Sequence, residues 1–234
     1  MAWREYDHPD GSALAEHLAT MLHAAMASAI EAEGEVLVAL AGGRTPFPAY
    51  RRLATMPLDW SRVVLLPTDE RCVPHDHPAC NVRELRDAFA EAKAARIESL
   101  TVSDGDPARS EAQARALLAG FERPFDVVVL GMGLDAHTAS LFPGASQLAA
   151  ATAPDDTFGA YRIDPDPLPP EAPFPRITLS LRRLLDANEL HLAVSGEAKR
   201  HVLRHAQTAG RDPHLPISEV LHAPRVTVDV HWSP

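Results

Sequence analysis

A histidine two residues beyond an aspartate, just past two glycines that end an aliphatic run, is the part of this chain richest in possible chemistry. The stretch runs Val127-Val128-Val129-Leu130-Gly131-Met132-Gly133-Leu134-Asp135-Ala136-His137-Thr138-Ala139-Ser140-Leu141-Phe142-Pro143. An imidazole, with an ordinary pKa of about 6.5, can accept and return a proton there as general base and acid. Most of the chain's 12 histidines are expected to pack or cap rather than react. Ser140 lacks the Gly-x-Ser-x-Gly elbow of an activated nucleophile, and in a turn read as helical its hydroxyl is a local backbone partner.

Three more places put polar groups where an aliphatic run gives way to a loop. In Gly42-Gly43-Arg44-Thr45-Pro46, paired glycines let backbone N–H groups turn toward an anion, Thr45 can cap the following helix and Pro46 fits its first turn. The spacing is neither a dinucleotide fingerprint nor a Walker loop. Asp69-Glu70-Arg71 follows the next run; Arg71 can grip a phosphate or carboxylate through paired hydrogen bonds, or form a local ion pair with Glu70. Gly196-Glu197-Ala198-Lys199 places a lysine in the first turn of a helix, where the dipole disfavours a cation unless an anion offsets it. Cys72, His75, His77 and Cys80 offer zinc-type side chains within nine residues. Metal sites normally join two ligand clusters across a folded element, and two prolines stiffen this loop, so no metal is expected there.

The elements that must position these residues alternate. Strand-like runs at 36–40, 63–66, 127–130, 177–179, 190–194 and 226–230 are mostly continuous aliphatic stretches, the pattern of a parallel sheet covered on both faces. Helix-like stretches at 12–33, 46–54, 82–92, 108–121 and 197–209 lie between them. The order implies an α/β fold. Between Pro154 and Pro175 seven prolines exclude a central strand and a helix interior, and the segment is read as an ordered surface excursion.

The 234 residues, 46% hydrophobic and 23% charged, can bury a full core without staples, and the whole of 1–234 is read as one domain. A net charge of −10 argues against general nucleic-acid binding and against a polybasic membrane anchor. No apolar run reaches the roughly 20 residues of a membrane span, and the polar start has no signal-peptide core. A cytoplasmic protein with two reduced cysteines is expected.

Taken together, these motifs resemble the 6-phosphogluconolactonase family. The resemblance runs from about Val36 to Ala206 and rests on Gly42-Gly43-Arg44-Thr45-Pro46, Asp69-Glu70-Arg71-Cys72-Val73 with Asn81, Leu130-Gly131-Met132-Gly133 with Asp135 and His137 through Pro143, Arg176-Ile177-Thr178-Leu179, and Gly196 with Lys199. It implies a three-layer α/β/α fold with a mainly parallel, Rossmann-like sheet, related to glucosamine-6-phosphate deaminase and ribose-phosphate isomerase. It also implies metal-independent hydrolysis of a phosphosugar lactone without cofactor, by a monomer or weak homodimer. In that reading His137 is the general acid/base and Asp135 or Asp69 orients it or binds sugar hydroxyls. Gly42, Gly43, Arg44, Thr45, Arg71 and Lys199 hold the phosphate.

The chain departs from the family pattern in two places: Ala136 stands where Asp-Gly-His is usual, and Cys80 precedes Asn81 where serine is common. If the family glycine has positive φ, alanine costs on the order of 1 kcal/mol there and can tilt His137. Two other functions stay open at this level. A deaminase/isomerase is expected to carry Asp-Glu-Tyr in place of Asp69-Glu70-Arg71, and a non-catalytic phosphosugar-binding protein would bind without turnover.

Overall fold

The computed structural model describes residues 3–169 and 173–234; residues 1–2 of the polar start and 170–172 of the proline-rich excursion lie outside the described residues. In chain order the elements are β1 (Trp3–Asp7), α1 (Gly11–Glu33), β2 (Val36–Leu40), α2 (Phe47–Ala54), β3 (Val63–Pro67), β4 (Asp69–Arg71), α3 (Asn81–Ala88), β5 (Arg96–Ile97), α4 (Pro107–Ala119), β6 (Phe125–Leu130), α5 (Leu148–Ala151), β7 (Ala160–Ile163), β8 (Arg176–Leu179), α6 (Leu181–Leu185), β9 (Ala187–Ser195), α7 (Glu197–Ala209), α8 (Pro216–Leu221) and β10 (Val228–Ser233).

Seven strands form one parallel sheet in the order β1-β10-β9-β6-β2-β3-β5. Side chains alternate across it. Val36, Val38, Leu40, Val63, Leu65, Val127 and Val129 face α1, α2 and α3, while Leu37, Ala39, Val64, Leu66, Val128 and Leu130 face the layer that holds α4, α7 and α8. Burial on both faces is why these strands read as unbroken aliphatic runs, and helices on both sides complete three layers. From β2 the chain moves outward through β3 to β5, then returns to the other flank of β2 as β6 and continues to β9 and β10. The loops after β2 and β6 therefore part in opposite directions and leave a crevice at the carboxyl ends of the strands, where open α/β sheets bind ligands.

α1 starts on Asp10, whose carboxylate accepts from Ala13 N at 2.8 Å, and stops on left-handed Gly34, which donates to Ile30 O. Its 23 residues span about 34 Å at 1.5 Å each. That length carries the chain from the edge strand β1 to the central strand β2.

Several sequence expectations shift. The run at 177–179 does not join the parallel sheet; it lies in β8, the middle of an antiparallel three-stranded sheet in the order β4-β8-β7. Its neighbour β7 falls in the proline-free part of the excursion and takes an edge, where the flanking prolines remove no ladder bond. The last strand starts at Val228 rather than Val226, and the helix expected at 82–92 ends at Ala88. β1, with the mixed sequence Trp-Arg-Glu-Tyr-Asp, carries no aliphatic run and was not legible as a strand. In the corner beneath α1, burial and then the charges of His191, His17 and His8 press the His231 imidazole down to about 2, so its ring is neutral.

Candidate active site

Four neighbouring strands, β9, β6, β2 and β3, deliver the residues singled out above to one end of the sheet. Beyond β6 the chain makes a tight turn: Gly133 N donates to His137 O at 2.9 Å and Ala136 N to Gly133 O at 3.2 Å. The turn is not helical; a single bridge between Thr138 and Leu141 follows it. Inside it His137 Nδ1 lies 2.5 Å from Asp135 Oδ1, which also accepts from His137 N at 3.2 Å. Burial alone would raise the Asp135 carboxyl, but the hydrogen bond and charge of His137 outweigh it and hold the group below its ordinary value. A Cβ on Gly133 would lie 2.2 Å from His137 Nδ1, so the glycine is what lets the ring fold back over the turn. The Phe142 ring packs against the imidazole, centroids 4.3 Å apart. With Nδ1–H given to Asp135, Nε2 is left with the lone pair.

Ala136 has φ +66° and is fully buried. The left-handed conformation anticipated for this position is adopted by alanine, and the Asp135–His137 contact stands regardless.

Asp69 is placed differently from Asp135. Its carboxylate accepts from Ser140 Oγ, and its backbone carbonyl accepts from Asn81 Nδ2 at 2.7 Å. Ser140 is fully buried and its N donates to Thr178 Oγ1, which makes it a brace between β4 and β8.

Glu70 does not pair with the Arg71 guanidinium. The fully buried carboxylate accepts from the backbone N of Arg71, Asn81 and Val82, each at 2.7 Å, and so caps α3 from outside the helix. Burial lifts it to about 7 against the pull of those amides, and the charge of Asp69 adds to the rise. Arg71 Nη1 donates to Asn81 Oδ1 and to Ala79 O, while its Nε is buried without a partner. Asn81 thereby links β4, α3 and the glycine loop: a Cβ on Gly42 would lie 2.3 Å from Asn81 Oδ1.

Thr45 does not cap α2. Pro46 takes the cap position, and Thr45 Oγ1 instead lies 2.8 Å from Ser195 Oγ at the end of β9. This joins the glycine loop, with Gly43 at φ +93°, to the turn at Gly196 that starts α7. No side chain caps α7, and half-buried Lys199 sits in its first turn. A cleft of about 500 Å³ opens beside this junction, lined among others by Arg44, Thr45, Arg52, Ser195 and Ser233. It shares the glycine-loop side of the site but not His137.

Residues outside the sequence-based set also belong to this region. Arg176 pairs in register with Arg71 across β4 and β8, and burial lowers its guanidinium, with Asp69 and Arg71 the next influences. Its Cζ lies 5.1 Å over the Phe142 ring. The signal for it was an arginine heading an otherwise apolar strand. Asn81 was named only as part of the family motif, and Ser195 carried no comparable signal of its own.

The cysteine and histidine loop disperses its side chains. His75 Nε2 meets Thr101, His77 Nδ1 accepts from Ala79 N, and Cys80 Sγ lies against Glu70. Burial pushes the Cys72 thiol to about 12 and Cys80 to about 11, so neither is a thiolate near neutral pH.

Residues 9–232 match the model of the family described as glucosamine-6-phosphate isomerases/6-phosphogluconolactonase. The chain is 36% identical over 225 residues to a 6-phosphogluconolactonase of Rhizobium meliloti, with 95% of each chain covered. It is 36% identical over 236 residues to one of Pseudomonas putida, covering all of this chain and 94% of the other. A crystal structure of a 6-phosphogluconolactonase from Shewanella baltica superimposes with a TM-score of 0.90 at 32% identity, covering 99% and 98% of the two chains.

Proposed function

Since the chain belongs to the glucosamine-6-phosphate isomerase/6-phosphogluconolactonase family, we infer that it hydrolyses 6-phospho-D-glucono-1,5-lactone to 6-phospho-D-gluconate in the oxidative pentose phosphate pathway. The relatives named above carry the lactonase name, which favours this activity over the deaminase branch. The observation that supports the chemistry is the Asp135–His137 pair, held at 2.5 Å on the crevice where the strand order reverses.

A six-membered lactone is an activated ester, so oriented water, a base and charge stabilisation are sufficient. His137 Nε2 takes a proton from water as the water oxygen bonds to C1. The tetrahedral intermediate then opens by breaking the bond from C1 to the ring oxygen, and the imidazolium returns the proton to that oxygen. Asp135 keeps Nδ1 protonated and steadies the transient positive charge. Asp69, fixed by Ser140, is assigned to sugar hydroxyls rather than to the imidazole. The backbone N–H groups of Gly42, Gly43 and Thr45, the open start of α7, Arg44, Arg71 and Lys199 hold the 6-phosphate, with Arg176 as a second guanidinium beside Arg71. Binding energy from the phosphate, remote from C1, then fixes the lactone against the base.

The reaction needs no metal or cofactor in this scheme. We place the protein in the cytoplasm as one domain, a monomer or weak homodimer whose partner is this small phosphosugar rather than nucleic acid; among the described residues no helix is long and apolar enough to cross a membrane. The test is release of 6-phosphogluconate, followed with its dehydrogenase after subtraction of spontaneous hydrolysis. Turnover above background is expected. Binding of phosphosugar without turnover would leave a binding protein.

A further inference from the structure

The aliphatic face beneath α1 gives way at one corner. Over β2, β3 and β6 that face is valine and leucine; over β9 and β10 it carries His191 and His231, both fully buried. Tyr6 of β1 pairs in register with His231 and stacks on it, His8 follows the end of β1, and α1 sets His17 against the group. Buried imidazoles cost free energy unless both ring nitrogens find partners. Here His8 Nε2, His17 Nδ1 and His231 Nδ1 are buried with no hydrogen-bond partner. One ligand nitrogen from each of the three rings falls within 4.8 Å of the other two.

The back of the cluster is arranged as well. His231 Nε2 lies 3.2 Å from His191 Nδ1, and His191 Nε2 lies 3.4 Å from Glu189 Oε2. If His231 Nδ1 binds an ion, its proton resides on Nε2, which faces an acceptor. The proton of His191 then resides on Nε2, which is buried 3.4 Å from Glu189 Oε2 without donating a hydrogen bond to it. An acceptor imidazole behind a ligating imidazole fixes the tautomer of the ligand around a metal ion.

We propose that His8, His17 and His231 bind one divalent transition-metal ion of the zinc class, through three neutral imidazoles with a solvent position left over. Nitrogen ligands select such ions over calcium or magnesium. Metal–nitrogen bonds of about 2.0–2.1 Å bring tetrahedral ligands to about 3.4 Å apart. The cluster closes to that size by small movements of His8, beyond its strand, and of half-buried His17. The ion would tie together the first strand, the first helix and the last strand, and so both ends of the chain. It lies apart from the hydrolytic turn, with β9 between β10 and β6, and its role is structural.

Chelator-stripped protein titrated with Co²⁺ is expected to develop the visible absorption of nitrogen-ligated, four-coordinate cobalt, saturating at one ion per chain and displaced by Zn²⁺. Zn²⁺ in large excess over its Kd should raise Tm by about 5 °C or more. His17→Gln and His8→Gln should each abolish the band and the Tm response while lactone turnover stays at the parental rate. His205→Gln, exposed on α7, should keep both. Absence of the band in the parent, or equal cobalt binding by the parent and both cluster variants, would overturn the proposal. Because the variants are compared by spectrum below their own Tm, a loss of stability does not obscure the result.

Discussion

At the scale of single residues, the site depends on which ring nitrogen of His137 is free. Asp135 holds Nδ1, so His137→Asn removes the proposed base while leaving a polar side chain of related size. Turnover should fall by roughly 10²–10⁴-fold with a much smaller change in substrate binding. In the parent, kcat should also decline on the acid side, because a protonated imidazole has no lone pair for water. An asparagine variant with parental kcat would rule His137 out as the base. Arg71→Leu should lose at least about tenfold in kcat/KM through the missing charge-assisted contact. Because Arg71 also supports Asn81, the comparison is repeated on the unphosphorylated lactone. An equal loss on both substrates would make Arg71 a scaffold residue. At Ala136 the left-handed backbone costs about 1 kcal/mol, and a buried methyl returns about 0.8. Ala136→Gly should therefore change stability by less than about 1 kcal/mol and turnover by less than about threefold, and a large gain in either would show that alanine distorts the turn. The His137–Asp135 contact was legible because the two residues lie two apart just past the glycines that end β6. Ser140 and Asp69 were not legible as a pair, since their contact depends on β4 meeting the turn after β6.

At the scale of elements, the region after β3 is organised by a carboxylate that never reaches the solvent. Glu70 caps α3 through the amides of Asn81 and Val82, and Asn81 in turn positions Arg71 and closes against Gly42. Its native pKa of about 7 stands above the ordinary 4.5. The folded chain therefore binds this proton more tightly than the unfolded chain. The contribution is complete below about 4.5 and is lost as pH rises through about 7, up to about 3 kcal/mol. Glu70→Gln removes the titration but turns an NH2 toward a backbone N–H from which the second carboxylate oxygen now accepts, so its urea midpoint should lie below the parent near pH 5 and the gap should narrow by pH 8.5 as the parent falls. Parallel pH profiles would show that the three amides keep the carboxylate charged throughout. The parallel strands were legible because two covered faces demand aliphatic residues at every position. The three residues of β4, Asp-Glu-Arg, are polar because they bond Ser140, Asn81 and the start of α3, so propensity points away from the strand they form. β7 escaped for a related reason: four residues among prolines carry too little pattern, and only the edge of the small sheet makes them a strand.

At the scale of the whole molecule, the strand order separates what the sequence intermingles. Alternating runs reveal an α/β chain, but not that β6 returns to the inner flank of β2, and that return makes the crevice. It also sets the glycine loop after β2 beside the start of α7, where Thr45 meets Ser195. The same order sends β1 and β10 to the opposite edge, where His8, His17 and His231 gather. The two regions share the sheet but no residue, and the proposed hydrolysis draws its proton transfers from His137 and its charge balance from arginine, lysine and backbone amides. Exhaustive chelation should therefore leave kcat and KM for the phosphorylated lactone unchanged at 25 °C, while Tm falls if the histidine corner had been loaded. Activity and thermal stability measured on the same stripped sample separate the two regions. Loss of turnover on stripping, restored by zinc but not by magnesium, would place an ion in the reaction itself and would overturn the metal-independent scheme, whereas a constant Tm with constant turnover would bear only on the histidine corner.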